Sequence, residues 1–401
     1  MANEKIITTK KFKDVLISLR FASEDLSKKT ERSLIALMIS DRSEKYYSKE
    51  KVNEKLDNMF GANLSFAIKD YGKAHVLELS LSVLNEQFVK SDLLEDQIAF
   101  LSQLVYKPLL TKEVFLEAKQ VLKDILNREG DNLNSYSVKK GIQLAGEGFP
   151  LAYNRIGSLE ALEKVSLADI KEEYNKIINE NLLNIIVIGD VEKDKTRILL
   201  KDYFKESKPK KINSNYLITT SDIKEKTEYK DSQQAYLTIV YNTHTLNVKK
   251  DYWTLQLMSM MLGQLPNSLL FLEVREKRSL CYSIRASVKG YDGIMYISSG
   301  VEKDSIEEAI EVSKKQVLRM QKGDFSEQLF LSAKSLLIDS IYQSEDSNKR
   351  MVDSEYRKII LNKDYNSEDL ISLIKKITIK EIKEVAQKLQ LNTVYKIVRN
   401  K

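Results

Sequence analysis

The feature that most constrains the fold of this chain is an internal repeat. Three segments of the first half recur in the second half, in the same order and 212 to 218 residues farther along. The pairs are residues 61–72 with 279–290, 115–126 with 330–341, and 166–169 with 378–381. The last pair begins with Ser166 and Thr378, each followed by an acid three residues on, which is the pattern of a capping box. The sequence therefore predicts a duplicated structural unit.

Both halves show the same succession of strand and helix patterns. Each begins with an alternating strand, such as the one that carries Val15, Ile17, Leu19 and Phe21 on one face. A helix, a pair of strands, two long helices, a capped helix and a final strand follow. We therefore expect an α+β fold, a tandem repeat of two similar domains, each a mainly antiparallel sheet covered by helices on one side. The expected divisions are 1–204 (N-terminal domain), 205–230 (linker) and 231–401 (C-terminal domain).

The composition favours a globular protein that neither spans a membrane nor binds nucleic acid. Of the 401 residues, 42% are hydrophobic and 30% charged, and no apolar run approaches the ~18 residues of a membrane helix. The net charge of +6 comes from 64 Lys and Arg against 58 Asp and Glu, interleaved along the chain. The one compact basic run, 208–211, lies in a Ser-, Asn- and Lys-rich stretch and is interpreted as a solvated linker.

The cysteine content and the N-terminal residues predict a cytoplasmic protein. Cys281 is the only cysteine, so an internal disulfide cannot form, which agrees with a reducing compartment. The first residues lack the apolar segment and cleavage site of a secretory signal. Because no histidine lies near Cys281 in the sequence, we interpret it as a small strand residue rather than a nucleophile.

The residues that could carry chemistry are Arg275 and Tyr282, seven positions apart across a helix end and the start of a strand. The local pattern gives each an ordinary interpretation. Tyr282 shares strand parity with Leu280 and Ile284 and would face the core, whereas Arg275 would be a solvated helix-end cation. The functional alternative is that the two residues act as fixed hydrogen-bond donors, since a guanidinium and a phenol hydroxyl can together bind an oxyanion.

The residues around this pair resemble the second domain of insulinase-like (pitrilysin-type, inverzincin) metallopeptidases. The resemblance includes residues 268–283, the Tyr-Asp-Gly-Ile run that begins at Tyr291, and the acidic helix that begins at Glu302. In that family, the arginine and the tyrosine contact the scissile region of the peptide from the domain opposite the zinc. The resemblance therefore implies an insulinase-like fold and a role at a peptide bond for Arg275 and Tyr282.

The zinc motif of that family, a His-x-x-Glu-His run on a helix, is absent from the first half. The corresponding segment, residues 32–41, contains neither histidine nor glutamate. The two histidines of the chain, His75 and His244, are predicted to be a packed strand residue and a loop or strand-end residue. Glu117 and Asp124 stand where the family supplies its glutamate ligand, but a lone carboxylate does not hold zinc, so we interpret them as surface charges. The sequence therefore predicts no metal or cofactor site in this chain.

The resemblance fits the bacterial members of the family that consist of two domains and pair as two chains around a chamber. In the heterodimeric ones, one chain carries the zinc and the other carries the Arg/Tyr pair. We therefore expect a non-catalytic subunit, inactive alone, that supplies Arg275 and Tyr282 in trans to a partner bearing His-x-x-Glu-His and zinc, with peptides as substrates. Two alternatives stay open: a stand-alone peptide-binding or scaffold protein, and a purely structural subunit.

Overall fold

The computed structural model describes residues 3–89, 91–205, 212–219 and 222–399. The basic run at 208–211, interpreted above as a solvated linker, lies outside the described residues, as does part of the predicted linker at 205–230. Within the described ranges, no helix is long and apolar enough to cross a membrane.

The described elements follow the repeat of the sequence. Those of the first half are β1 (Asn3–Thr8), β2 (Asp14–Ser23), α1 (Lys29–Ile39), α2 (Lys49–Asn58), β3 (Asn63–Tyr71), β4 (Ala74–Leu84), α3 (Leu93–Tyr106), α4 (Lys112–Asn127), α5 (Leu133–Ala145), α6 (Leu159–Lys164), α7 (Leu167–Glu180), β5 (Leu182–Gly189) and α8 (Lys193–Tyr203). Those of the second half are β6 (Lys224–Lys230), β7 (Ala235–Asn242), α9 (Tyr252–Gly263), β8 (Cys281–Lys289), β9 (Ile294–Val301), α10 (Ile306–Lys322), α11 (Glu327–Ser344), α12 (Asn348–Leu361), α13 (Ser367–Lys376), α14 (Ile379–Gln387) and β10 (Gln390–Arg399).

Each half contributes one five-stranded sheet, and the two sheets have the same topology. The strand orders are β1-β5-β2-β4-β3 and β6-β10-β7-β9-β8. All pairings are antiparallel except those of the first strand in each sheet, since β1 runs parallel to β5 and β6 runs parallel to β10. Strand β6 falls within the stretch predicted as a linker. The predicted α+β class with two mainly antiparallel sheets is confirmed.

Local sequence signals explain where several elements begin and turn. Ser166 and Thr378 each cap a helix through a reciprocal pair of hydrogen bonds with the acid three residues on, so both predicted capping boxes are confirmed. The hairpins β3–β4 and β8–β9 turn at Gly72 and Gly293, whose φ angles are 62° and 65°. Only glycine adopts this left-handed conformation at no steric cost.

One face of each sheet is covered by helices of its own half. In the first sheet, alternate residues such as Leu19 and Leu79 pair across β2 and β4 and enter a core closed by helices that include α1, α3 and α4. The second core has the same construction around Ile239 and Ile297. The period-two pattern of the strands thus places the apolar residues against the amphipathic helices.

One helix from each half packs on the sheet of the other half. Helix α5 lies against β7 and β10, and α12 lies against β5 and β2. The two helices begin at Leu133 and Asn348, 215 residues apart, so they are equivalent members of the repeat. The described chain accordingly divides into two compact units: unit 1 is 1–127, 154–214 and 343–364, and unit 2 is 128–153, 215–342 and 365–401. The predicted domain boundaries at 204 and 231 stay predictions. Each compact unit combines segments from both halves of the sequence.

Helix α5 approaches the second sheet closely. A Cβ atom on Gly141 would lie 2.8 Å from the methyl carbon of Thr238, so only glycine fits there. One turn earlier, the hydroxyls of Ser137 and Thr238 are 3.0 Å apart and hydrogen-bonded. Ile142 and Ala145 complete the contact in a small apolar cluster with Val240. The exchanged helix therefore belongs to the packed interior of unit 2.

Helix α12 contacts the first sheet through a buried arginine and a partly exposed carboxylate. The guanidinium of Arg20, on β2, contacts Asp353 of α12 and lies 3.1 Å from Glu78 Oε2 on β4. The same guanidinium stacks 4.5 Å from the ring centre of Tyr356. Lys69 Nζ lies 2.8 Å from both carboxylates. Burial alone would lower the pKa of Arg20, but Glu78 and the other neighbours raise it, so the cation is retained.

We expect Arg20→Met to lower the free energy of unfolding by about 3 kcal/mol, because it leaves the nearly buried Glu78 with Lys69 as its remaining cation. Lys5→Met is the matched control. Lys5 Nζ lies 3.7 Å from Glu355 of the same helix, but its side chain is half exposed, so its loss costs less than about 1 kcal/mol. Urea denaturation followed by circular dichroism compares the two variants. Equal midpoints would contradict a fixing role for Arg20.

Candidate functional site

Arg275 lies near the end of a short π-helical segment, Phe271–Glu276. The N–H of Lys277 donates to the carbonyl of Leu272 at 2.9 Å, a five-residue spacing that widens the helix. Ser279 then adopts a φ of 51°, which is uncommon for a residue with a side chain. Its N–H donates to the carbonyl of Arg275 at 2.9 Å. This turn reverses the chain, so that β8 starts next to Arg275.

Tyr282 is the extra residue of a β-bulge at the start of β8. Cys281 pairs with Val301 and Ser283 pairs with Gly300, which leaves Tyr282 with no residue opposite it on β9. The bulge shifts by one position the alternation of side chains between the two faces of the sheet. Tyr282 is therefore 81% exposed, although Ile284, two residues on, is buried. The core-facing interpretation of Tyr282 is therefore wrong, because strand parity holds only where the pairing is regular.

The turn and the bulge bring Arg275 and Tyr282 together. The guanidinium carbon of Arg275 lies 5.5 Å from the ring centre of Tyr282 and 4.4 Å from that of Phe271, within the range of cation–π attraction. Arg275 Nε also lies 3.6 Å from Oε1 of the exposed Glu276. About a third of the Arg275 side chain is accessible. A fixed cation and a phenol hydroxyl are thus presented side by side at the surface of unit 2.

The strand that carries Tyr282 is an edge strand. In the described sheet, β8 pairs with β9 on one side and has no neighbouring strand on the other. An edge strand presents backbone N–H and C=O groups with which an extended peptide can pair. The Arg275–Tyr282 pair therefore lies beside backbone that is suited to hold a peptide.

Cys281 lies next to this pair but faces the core. Its side chain is buried, and burial raises the pKa of the thiol, an effect that Ser299 and Arg275 oppose only in part. A thiol with a raised pKa is a poor nucleophile. The structure therefore agrees with the interpretation of Cys281 as a small strand residue.

The segment at residues 32–41 forms most of α1 and offers no zinc ligands at the spacing of the family's motif. The spacing of His-x-x-Glu-His places its three functional residues at i, i+3 and i+4 on one face of a helix. Whichever residue of the segment is taken as i, these positions contain neither histidine nor glutamate. Leu34 and Met38 of this helix are fully buried in the core. Helix α1 therefore does not supply the ligands of the motif.

Arg32, at the start of this segment, is fully buried and serves the fold. Its Nη1 lies 3.5 Å from Glu173 Oε1, and its Nη2 donates to the carbonyl oxygens of Phe21 and His75 at 3.1 and 3.4 Å. Burial lowers the pKa of Arg32 and raises that of Glu173. The side chain ties α1 to α7 and to the ends of β2 and β4, which leaves it no access to a ligand.

Glu117 and Asp124 lie on α4, and described residues of unit 1 contact both. Glu117 forms ion pairs with Arg42 and Lys49, whose hydrogen bonds lower the pKa of its carboxyl group. Asp124 accepts a hydrogen bond from Gln120 one turn earlier, at 2.9 Å. The interpretation of both as surface charges is thus supported, and two cations contact the carboxylate of Glu117.

The two histidines do not converge on a common site. His75 is fully buried on β4, with its Nδ1 2.7 Å from Asp70 Oδ1, and burial lowers its pKa. His244 follows β7 with a φ of 51°, and its Nε2 lies 3.0 Å from Gln390 Oε1. Both structural predictions, a packed strand residue and a strand-end residue, are confirmed.

These side chains do not fit a zinc ion. Among the residues with described positions, no group of three or more His, Cys, Asp and Glu is arranged to hold a metal. A zinc site needs at least three protein ligands. No step of a reaction is therefore assigned to a metal in this chain.

Comparison with known proteins identifies the family. Residues 164–337 match the family model described as peptidase M16 inactive domain. The probable inactive metalloprotease YmfF of Bacillus subtilis is 27% identical over 400 residues, which cover 97% of this chain and 94% of that protein. Residues 164–337 belong to the peptidase M16 inactive domain family. The family resemblance drawn from the residues around Arg275 is thereby confirmed.

Two further comparisons cover most of the chain. The non-peptidase homologue YmxG of Helicobacter pylori is 25% identical over 318 residues, 77% of this chain and 72% of that protein. The crystal structure of a conserved protein from Enterococcus faecalis superimposes with a TM-score of 0.92 at 23% identity and covers 99% of this chain and 96% of its own. The relative from Bacillus subtilis is thus described as probably inactive, and the relative from Helicobacter pylori as a non-peptidase homologue.

We expect the isolated chain to bind no stoichiometric zinc, because residues 32–41 contain neither histidine nor glutamate and the two histidines are separately engaged. Tag-free protein would be incubated with excess zinc, dialysed, and subjected to elemental analysis. A zinc-binding protein of similar size processed in parallel is the control. A content near one zinc per chain, resistant to dialysis, would contradict this prediction.

Proposed function

We propose that this chain is the zinc-less subunit of a heterodimeric zinc peptidase that acts on peptides, and that Arg275 and Tyr282 act in trans at the zinc site of its partner. The observation that carries the proposal is the exposure of Tyr282 beside Arg275, on a bulge that turns the ring out of the core. The partner is an insulinase-like chain that bears His-x-x-Glu-His and the zinc. Alone, this chain is inactive.

The chemistry of the pair supports a role in stabilising negative charge. When water attacks a peptide carbonyl, the oxygen becomes an oxyanion, and fixed donors near it lower the barrier. Arg275 offers several N–H donors and Tyr282 one O–H donor, and the π-helical turn and the bulge fix their backbones. The partner's zinc would activate the water, whereas this chain would orient the substrate and bind the oxyanion.

The exposure of Tyr282 argues against a purely structural subunit. A tyrosine that only stabilised the fold would gain free energy by burying its ring. Here regular pairing would have directed the ring inward, and the bulge directs it to solvent. Local distortions of this kind are common next to active sites.

The second candidate function is a stand-alone peptide-binding or scaffold protein without a catalytic contribution. The edge strand β8 favours it, because an added peptide strand needs only backbone partners. Both candidates use the same surface of unit 2. They differ in whether Arg275 and Tyr282 change the turnover of a partner or only the binding of a peptide.

A cytoplasmic location in a bacterial cell is part of the proposal. The single cysteine, which is buried, supports it, since reducing compartments rarely rely on disulfides. A search of the neighbouring reading frames for a chain of similar length with His-x-x-Glu-His would supply the partner for the experiments below.

We expect Tyr282→Phe and Arg275→Ala each to reduce the kcat of the reconstituted complex by roughly 10²- to 10³-fold, the usual effect of removing an oxyanion donor. The matched controls are Tyr229→Phe, an exposed tyrosine on the opposite edge of the sheet, and Arg278→Ala, an arginine paired with Glu273. Both controls should turn over peptide like the wild type. Turnover within about twofold of wild type for both test variants would favour the scaffold function.

We also expect a 1:1 complex between this chain and the zinc-bearing partner, since the proposed site is divided between two polypeptides. A stable interface of this kind buries about 1,600 Å². Sedimentation or native mass spectrometry of the mixed chains measures the stoichiometry, and Tyr282→Phe should assemble as well as wild type. Failure of the wild-type chains to associate at micromolar concentration would contradict the heterodimer.

A further inference from the structure

Phe271 places its ring against the guanidinium of Arg275 rather than in the core. The two residues lie four positions apart, on one face of the π-helical segment. The neighbouring apolar side chains Leu270 and Val274 enter the second core, whereas Phe271 is only partly buried and is not among the described side chains of that cluster. The guanidinium carbon of Arg275 lies 4.4 Å from the ring centre of Phe271 and 5.5 Å from that of Tyr282. Phe271 is therefore the nearer of the two aromatic neighbours of Arg275.

The guanidinium of Arg275 makes no hydrogen bond within the described ranges of the chain. Oε1 of Glu276 lies 3.6 Å from its Nε, which is beyond hydrogen-bond distance. Arg278, three residues on, differs in this respect. Its Nη1 donates to the carbonyl oxygen of Glu273 at 2.9 Å and to Oε2 of the same residue at 2.7 Å. Arg278 thus uses its donors within the fold, whereas Arg275 presents its donors at the surface.

A ring and a carboxylate hold a guanidinium in different ways. An aromatic ring attracts the cation through its π face and accepts none of its N–H donors in the ordinary sense, whereas a carboxylate can accept two of them side by side. At exposed sites, one cation–π contact and one ion pair are of comparable strength. The two rings near Arg275 therefore outweigh the single exposed carboxylate of Glu276 and hold the cation without consuming its donors.

We propose that Phe271 is a positioning residue for Arg275: its ring holds the guanidinium beside Tyr282 and away from Glu276, so that the N–H donors stay available to an oxyanion. This role rests on the proposed function, because the oxyanion is that of a peptide at the partner's zinc site. Without the ring, the guanidinium turns toward Glu276, which accepts its donors and offsets its charge. Phe271 therefore acts only through Arg275.

Nuclear magnetic resonance of the full-length chain, labelled with ¹³C-arginine, tests the contact in the absence of a partner. The Cδ–Hδ resonance of Arg275, assigned by its loss in Arg275→Ala, should be shifted by the ring current of Phe271, and Phe271→Leu should reduce this shift. Phe271→Tyr retains a ring and should preserve it. Phe88→Leu, which changes an exposed phenylalanine of unit 1, is the matched control. An Arg275 resonance that does not move in Phe271→Leu would overturn the proposal.

Turnover by the reconstituted complex tests the consequence of the contact. Phe271→Leu should lower kcat by roughly tenfold, less than the removal of an oxyanion donor, because the cation is displaced rather than lost. KM should stay unchanged, since the affected contact is made in the transition state. Phe271→Tyr should turn over like wild type. Glu276→Gln in the Phe271→Leu background should recover part of the loss, which a merely structural role of the ring does not explain, because an amide is a weaker acceptor than a carboxylate.

Arg275→Ala in the same assay separates this proposal from the proposed function. If Arg275→Ala lowers turnover and Phe271→Leu does not, the positioning role is overturned and the proposed function stands. If Arg275→Ala turns over like wild type, both are overturned. Circular dichroism checks the fold of each variant. Phe271→Met, which keeps a long side chain without a ring, replaces Phe271→Leu if the latter does not fold, and the same losses are expected of it.

Discussion

The structure of unit 1 depends on a guanidinium held between a sheet and a helix that lie far apart in the sequence. Arg20 belongs to β2, whereas Asp353 and Tyr356 belong to α12. A sheet has two faces, and each must be covered or solvated. Helices of the first half cover one face of the first sheet, and α12 covers part of the other. A buried cation without a partner is costly, so Arg20 favours the packing of a helix that brings a carboxylate and an aromatic ring to it, as α12 does with Asp353 and Tyr356.

The fold was largely predictable because its signals are local and occur twice. The period-two strands around Leu19, the capping boxes at Ser166 and Thr378, and the long helices all depend on residues close in the sequence. The exchange of α5 and α12 was not predictable, because both are amphipathic helices whose sequence does not state which sheet they contact. Strand β6 was missed for a different reason: its charged residues, Lys224 to Lys230, lack apolar alternation, as is common for an edge strand.

The candidate site, like the fold, has features that nearby residues determine and features that depend on contacts between distant elements. The types and spacing of Arg275 and Tyr282 were evident in the sequence. The exposure of the Tyr282 side chain was not, because the apolar alternation around Ile284 does not indicate a β-bulge. The absence of the zinc motif was evident because the chain has only two histidines and they lie far apart in the sequence. The contacts of the neighbouring charges were not evident: the ion pairs of Arg32 with Glu173 and of Arg42 with Glu117 join residues that are far apart in the sequence.

The reciprocal exchange of helices has a consequence for biosynthesis. The strands of the first sheet have all left the ribosome once Gly189 has emerged, but the helix that covers its second face begins at Asn348. During that interval, Arg20 and Glu78 would face the cellular medium without Asp353 and Tyr356. The nascent chain thus carries a folded but incompletely covered sheet through almost the entire translation of the second half, and such surfaces are the ones that chaperones protect. Folding of this protein is therefore completed after translation of α12 rather than domain by domain.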